Sequence, residues 1–203
     1  MSLVIDSIEY LQNGTALFKS VHIQAEQSQI TTLYSMQQHA ASLLFEIAAF
    51  RLHAQNRYVA IDGRPLFGMH ERLVYLPAHS ILPPDLRLKQ AFEWYGCSWA
   101  LFREKLPAFG PGPEQKCKTL SSGEQRLCSL HLCLHLRETL SNRWLLLDQP
   151  FKHLAPVMIE LAIDWLMHAK QSAGILLTDT VPDRPGLLSD KSYELRDGRV
   201  YKR

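Results

Sequence analysis

Two stretches decide the fold: Leu120-Ser121-Ser122-Gly123-Glu124-Gln125-Arg126 and, further along, Leu145-Leu146-Leu147-Asp148-Gln149-Pro150-Phe151. The first reads as a helix start. Serine hydroxyls just before a helix cap free backbone N–H groups, and a start with such groups suits an anion. The predicted helix, 122 to 140, is apolar on most faces and therefore buried. The second stretch reads as a strand over Trp144 to Leu147. It has no polar residue before Asp148, as expected of a strand covered on both faces.

Working outward, Leu3 to Tyr10 reads as a strand and Asn13-Gly14 as a tight turn. Leu17 to Ala25 follows as the returning strand, with Phe18, Val21 and Ile23 apolar, and Ser28 to Tyr34 as a third strand. Gln37 to Ala54 carries a broad helical apolar face. Tyr58 to Ile61, a turn at Asp62-Gly63 and Leu73 to Leu76 give two short strands. Ile81 to Asp85 is a loop, Leu86 to Tyr95 a helix, and Pro107 to Pro113 irregular. Downstream come a helix from Val157 to Lys170, a buried strand from Gly174 to Thr178, and a hairpin in Ser192 to Arg203 turning at Asp197-Gly198. Strands alternating with helices predict an α/β fold with a mainly parallel core sheet. There is no internal repeat and no low-complexity tract.

The chain has 203 residues, 46% of them hydrophobic, which suits one domain over 1–203. Its 22 basic and 20 acidic residues nearly balance, so no nucleic acid partner is expected. The four cysteines form no C-x-x-C pair and suggest no disulfide framework, which favours a reducing, cytoplasmic compartment. No leader pattern opens the chain. The apolar runs are broken well short of the ~18 residues a membrane span needs. Any attachment at the inner face of a membrane would go through a partner.

The first quoted run resembles the signature motif of ATP-binding cassette (ABC) ATPases, and the second resembles their Walker B strand. The resemblance extends over nearly the whole chain. Leu3 to Glu26 is similar to the antiparallel β region, Tyr75-Leu76-Pro77 to the strand before the Q-loop, Phe151 to Glu160 to the segment after Walker B, Leu176 to Asp179 to the switch strand, and Tyr193 to Val200 to the closing hairpin. It implies a P-loop NTPase-like ABC ATPase core: a mainly parallel sheet, an N-terminal antiparallel β region and a short helical subdomain at about 83–135. It also implies ATP and Mg²⁺ as cofactors, and pairing with a second ABC-type ATPase subunit, a second copy or a membrane permease.

The departures fall on the chemistry. A P-loop uses glycines to curl backbone N–H groups around phosphate and a lysine to reach the β and γ phosphates. Aligned without a gap, the glycine positions hold Ser35, Gln38 and Ala40, and the lysine position holds Ala41. Ser42 survives, where a hydroxyl would hold Mg²⁺. Hydrogen bonds to charged groups are worth roughly 1.5–3 kcal/mol each. Losing the lysine and one or two amides therefore removes about 4–8 kcal/mol, or three to six decades of affinity. The adenine-stacking aromatic falls near Gln12, with Tyr10 close by. The Q-loop glutamine position holds Ala78, beside His79. The switch histidine position holds Thr180, or Asp179 with a shift of one. Asp148 keeps the Walker B carboxylate, but Gln149 replaces the glutamate that polarises water and cannot act as a base. The D-loop position reads Leu154-Ala155. Good helix formers from Gln37 to Ala41 predict collapse of the loop into a continuous helix start.

The signature run is the station that survives. In the family it caps the γ phosphate held by the other subunit, so Ser121, Ser122, Gly123 and Glu124 would act in trans; the competing reading is an ordinary helix cap. Asp148 with Ser42 would hold Mg²⁺ only if nucleotide binds; otherwise Asp148 ties down a strand end and Ser42 starts a helix. Cys128, His131 and His135 share a helix face, as metal ligands or as packed core. Trp94, Tyr95, Trp99 and Phe102 form a partner surface or a satellite core, and Lys116 and Lys118 form a solvated face. Together these imply a degenerate, non-hydrolytic ABC-type subunit with no cofactor of its own, binding ATP in trans at most. The alternatives are an active ABC ATPase using non-standard residues and a nucleotide-free homodimeric scaffold.

Overall fold

The computed structural model describes residues 1–106, 110–136, 142–184, 186–187 and 189–203. The strands are β1 Ser2–Glu9, β2 Leu11–Gln12, β3 Thr15–Ala16, β4 His22–Glu26, β5 Ile30–Tyr34, β6 Asn56–Ile61, β7 Arg64–Pro65, β8 Leu73–Leu76, β9 Arg143–Leu147, β10 Ala173–Asp179, β11 Lys191–Arg196 and β12 Arg199–Lys202. The helices are α1 Gln38–Ala48, α2 Leu88–Trp94, α3 Trp99–Glu104, α4 Ser122–His135 and α5 Pro156–Ala169, with a 3₁₀ turn at Cys117–Thr119. Of the segment Pro107 to Pro113, residues 107–109 lie outside the described residues, as do 137–140 at the end of the helix predicted to Leu140.

The larger sheet runs β12-β11-β5-β10-β9-β8. β8, β9, β10, β5 and β11 are parallel neighbours, and β12 closes the edge antiparallel. Every residue of β9 and β10 is buried, because helices and the second sheet cover both faces. The smaller sheet, β4-β1-β6-β7, is antiparallel. In β1 burial alternates through Leu3, Ile5 and Ile8, and a bulge between Asp6 and Glu9 with Ser7 at φ 51° shifts the register. Asn13-Gly14, Asp62-Gly63 and Asp197-Gly198 have positive φ at both residues, as a tight hairpin turn requires.

Three expectations change. The strand predicted over Leu17 to Ala25 breaks, because Lys19 and Ser20 donate backbone N–H bonds to Gly198 O at 2.7 and 3.3 Å and Val200 donates back to Ser20 O at 2.9 Å. That stretch pairs with the C-terminal hairpin, and β4 resumes only at His22.

The helix predicted from Gln37 to Ala54 ends at Ala48. Phe50 takes the left-handed conformation at φ 60°, its N–H reaches Ile47 O at 3.1 Å, and Arg51 N–H reaches Glu46 O at 2.8 Å. This is a helix-closing motif that usually carries glycine. The aromatic residue there is braced by Arg57, whose guanidinium lies 3.9 Å from the Phe50 ring centroid and whose Nη1 donates to Ile47 O and Leu52 O.

The third change is α3, a short helix the periodicity misses. Ser98 Oγ caps it by accepting from Leu101 N–H at 3.4 Å. Among the described residues, no helix is long and apolar enough to cross a membrane.

Two core clusters sandwich the parallel sheet. A third joins Phe92, Phe102, Leu120, Cys128 and Leu132 under α2 and α3. The aromatic cluster therefore divides. Phe92 and Phe102 pack at 4.6 Å between centroids, Tyr95 donates its hydroxyl to Ile81 O at 2.7 Å, and Trp94 stays 69% exposed. Lys118 pairs with Asp85 at 2.8 Å on an exposed face.

Candidate functional site

β5 leads into α1 through three residues. Ser35 is buried; its hydroxyl donates to Leu195 O at 3.3 Å and accepts from Gln37 N–H at 3.0 Å, and its N–H donates to Asp179 O at 3.0 Å. Met36 points out, 75% exposed. α1 is regular from Gln38, so Gln38, Ala40 and Ala41 lie in its first turn rather than in a phosphate-cradling loop. Ala41 is buried in the larger core. No side chain caps this helix and its first turn holds no acidic residue. Its free N–H groups therefore keep their positive potential.

Asp148, the first residue after β9, is fully buried. Its Oδ1 accepts from the Thr178 hydroxyl at 2.8 Å, and the same hydroxyl oxygen accepts from Gln149 N–H at 2.8 Å. Gln149 takes φ 51° and swings its side chain back, so that Nε2 donates to Ser42 Oγ at 3.2 Å. The fold thus joins the position where the resemblance places a water-activating carboxylate to the position where it places a Mg²⁺-binding hydroxyl. Burial pushes the Asp148 carboxyl up, opposed by the nearby Ser42 and Thr178 hydroxyls and by the charges of Arg126 and Lys152. Ser42 lies close enough to favour the charged form, yet Oδ2 forms no hydrogen bond.

A magnesium-bound triphosphate does not fit this set. The Ser42 oxygen already accepts an amide, burial pushes the Asp148 carboxyl upward, and no cation stands at Ala41. The raised Asp148 value has a stability consequence. The folded state holds this proton more tightly than the unfolded chain. Stabilisation from the group is therefore fully present below its unfolded value of about 3.9 and is lost as pH rises through the raised folded value. Asp148→Asn should raise the melting temperature at pH 8, and the gain should shrink as pH falls toward 4. Thermal scans across that range check it.

At the signature run, a capping box closes. Glu124 N–H donates to Ser121 Oγ at 3.2 Å, and the Ser121 N–H and hydroxyl each donate to Glu124 Oε2 at 2.8 Å. The helix start is capped from within, by a carboxylate. Gly123 is required by a contact inside the chain, since a Cβ there would lie 2.7 Å from His153 O. Ser122 is exposed.

The sequence pattern gives Arg126 no site role, yet it is buried. Its Nη1 donates to Pro77 O at 2.6 Å and its Nη2 to Asp148 O. One side chain therefore ties α4 to the segment before Ala78 and to the end of β9. Burial pulls its pKa down to about 10.

At the switch position Thr180 is half-buried and Asp179 is engaged. The Asp179 carboxylate accepts from the Thr180 and Val181 N–H groups at 2.7 and 3.1 Å and pairs two-pronged with Arg184. Arg184 in turn lies 4.6 Å from the Phe151 ring centroid. Gln38, Gln149, Lys152, Thr180 and Arg184 line a cleft of about 320 Å³.

Ala78 sits half-buried, while His79 borders a separate cleft of about 490 Å³. Gln12 is exposed and Tyr10 packs against the core. Leu154 is buried in the second cluster. Cys128 and His131 are core, and the His135 Nδ1–H donates to His131 O at 2.8 Å. Burial pulls His131 down to about 3. No group of three metal-ligating side chains occurs among the described residues.

No protein-family model and no curated protein matches the sequence. Solved structures do match in shape. The structure of an ATP binding subunit of an ABC transporter superposes with a TM-score of 0.77 at 18% identity, covering 100% of this chain and 90% of the other. A putative ABC transporter ATP-binding protein from Pyrococcus furiosus superposes with a TM-score of 0.77 at 13% identity, covering 96% of this chain and 98% of the other. The chain has the ABC ATPase fold: a mostly parallel sheet, an antiparallel N-terminal sheet and few helices.

Proposed function

We propose that this chain is a degenerate ABC-type subunit that does not hydrolyse ATP and serves as structural or regulatory partner of an intact ABC ATPase or of a membrane permease. The observation that carries the reading is the Gln149 amide bonded to the Ser42 hydroxyl at 3.2 Å. A carboxylate in place of Gln149 would orient water, and a free Ser42 oxygen would take Mg²⁺; here the two side chains satisfy each other. The helical start at Gln38 and the buried Ala41 support the same conclusion. Residues 83–135 form the helical arm in this reading, with Trp94 exposed on it to meet a partner.

Capping a partner's nucleotide through Ser121, Ser122 and Gly123 remains part of the proposal. The Glu124 carboxylate inside the cap works against it, because it holds negative charge where a phosphate would arrive. The rival, an active ATPase, draws on the 320 Å³ cleft beside the uncapped α1 start. Arg184 in that cleft is committed to Asp179. Phosphate release from Mg-ATP by the purified chain is expected to match the blank. Mg²⁺-dependent release that Asp148→Asn abolishes would overturn the reading.

A further inference from the structure

α4 and α5 run side by side from the Gly123–His153 contact, and their C-terminal ends border a cleft of about 430 Å³ at the opposite end of the sheet. That volume lies within the usual range of small-molecule sites. The cleft is walled by Trp165, Leu134 and Leu161, and both Asp164 and Lys105 face it. Neither charge has an ion-pair partner among the described residues, and the two do not pair with each other. The Arg143 guanidinium at the base is already directed to the C-terminal carbonyls of α4, donating to Leu134 O at 2.6 Å and Leu136 O at 3.0 Å. The His135 Nδ1–H is held by His131 O.

We infer that this cleft is a binding site for a small zwitterion with an apolar body, of the chemical class of an apolar α-amino acid. The ligand ammonium pairs with Asp164, its carboxylate pairs with Lys105, and its side chain packs on Trp165 and Leu161. The two protein charges share one cleft without meeting, so a ligand carrying both charges compensates each of them. A plain anion would face Asp164 unpaired, and a plain amine would face Lys105 unpaired.

The test uses the ¹⁵N-labelled full chain. It is titrated with L-leucine and L-phenylalanine, with isoamylamine, which lacks the carboxylate, and with 4-methylpentanoate, which lacks the ammonium. Shifts of the Trp165 indole N–H report occupancy. Asp164 and Lys105 are exposed, so Asp164→Asn and Lys105→Met test the charges without disturbing the core. The amino acids should bind more tightly than either single-charge analogue, by up to about fivefold, since each ligand charge adds one ion pair to an exposed protein charge. Asp164→Asn should weaken L-leucine up to about fivefold and leave 4-methylpentanoate no weaker, and Lys105→Met should weaken L-leucine and leave isoamylamine no weaker. Absence of shifts with both amino acids, equal binding of the analogues, or binding indifferent to both variants would overturn the assignment.

Discussion

Gly174→Val should destabilise the domain by roughly 3 kcal/mol, visible as a lower urea midpoint with little change in slope. Gly174 lies in β10 opposite Trp144 of the neighbouring strand β9. A Cβ at 174 would fall 2.2 Å from the Trp144 ring, and that ring is fully buried in the larger core cluster. Protein interiors are close-packed, so the indole has nowhere to retreat. Its displacement would also disturb β9, the strand that leads directly into Asp148. Trp144→Phe added to Gly174→Val should recover part of the loss, because the smaller ring leaves room. An unchanged midpoint for Gly174→Val would mean that the two strands do not meet as described.

The second large effect belongs to Arg126. Arg126→Met keeps much of the buried volume but removes the donors to Pro77 O and Asp148 O. Leaving the buried Asp148 carbonyl and the part-buried Pro77 carbonyl without these donors costs about 2–5 kcal/mol. Arg126→Lys should fall between wild type and Arg126→Met, because an ammonium supplies charge and donors without the planar fork that reaches both carbonyls. The loss should also have a local signature. Amide hydrogen exchange should quicken around Ala78 to Ser80, where the chain leaves β8, and around Gln149, before global unfolding. Uniform protection in Arg126→Met would contradict the role of Arg126 as the tie between α4, β8 and β9.

Much of the fold could be read from local pattern because its strongest signals are local. The apolar runs at Leu145–Leu147 and Ile175–Leu177 are two adjacent inner strands of the parallel sheet, and the three X-Gly pairs are the hairpin turns. What went unread depends on contacts between distant residues. The break after Leu17 is made by Gly198, and the end of α1 is fixed by a left-handed Phe50 under Arg57, where sequence offers neither glycine nor proline as a stop.

The site divides in the same way. Motif spacing singled out Ser42, Asp148, Gln149 and Thr180; Ser42 lies inside α1, Asp148 and Gln149 follow β9, and Thr180 follows β10. Spacing could not show that Gln149 and Ser42 bond across 107 residues of sequence. Nor could it show that Asp179 is neutralised by Arg184, or that Glu124 closes its own helix cap. Arg126 carried one readable hint: an arginine beside Leu127 in a helix otherwise predicted to be buried needs acceptors, and bare carbonyls at strand ends supply them.

A direct titration of ATP with Mg²⁺ into the purified chain, followed by calorimetry, tests whether residues 35 to 42 still grip a triphosphate. The account predicts no saturation below about millimolar concentration, the affinity left after the loss of the lysine and the loop amides. A micromolar dissociation constant that requires Mg²⁺ and disappears in Ser42→Ala would contradict it.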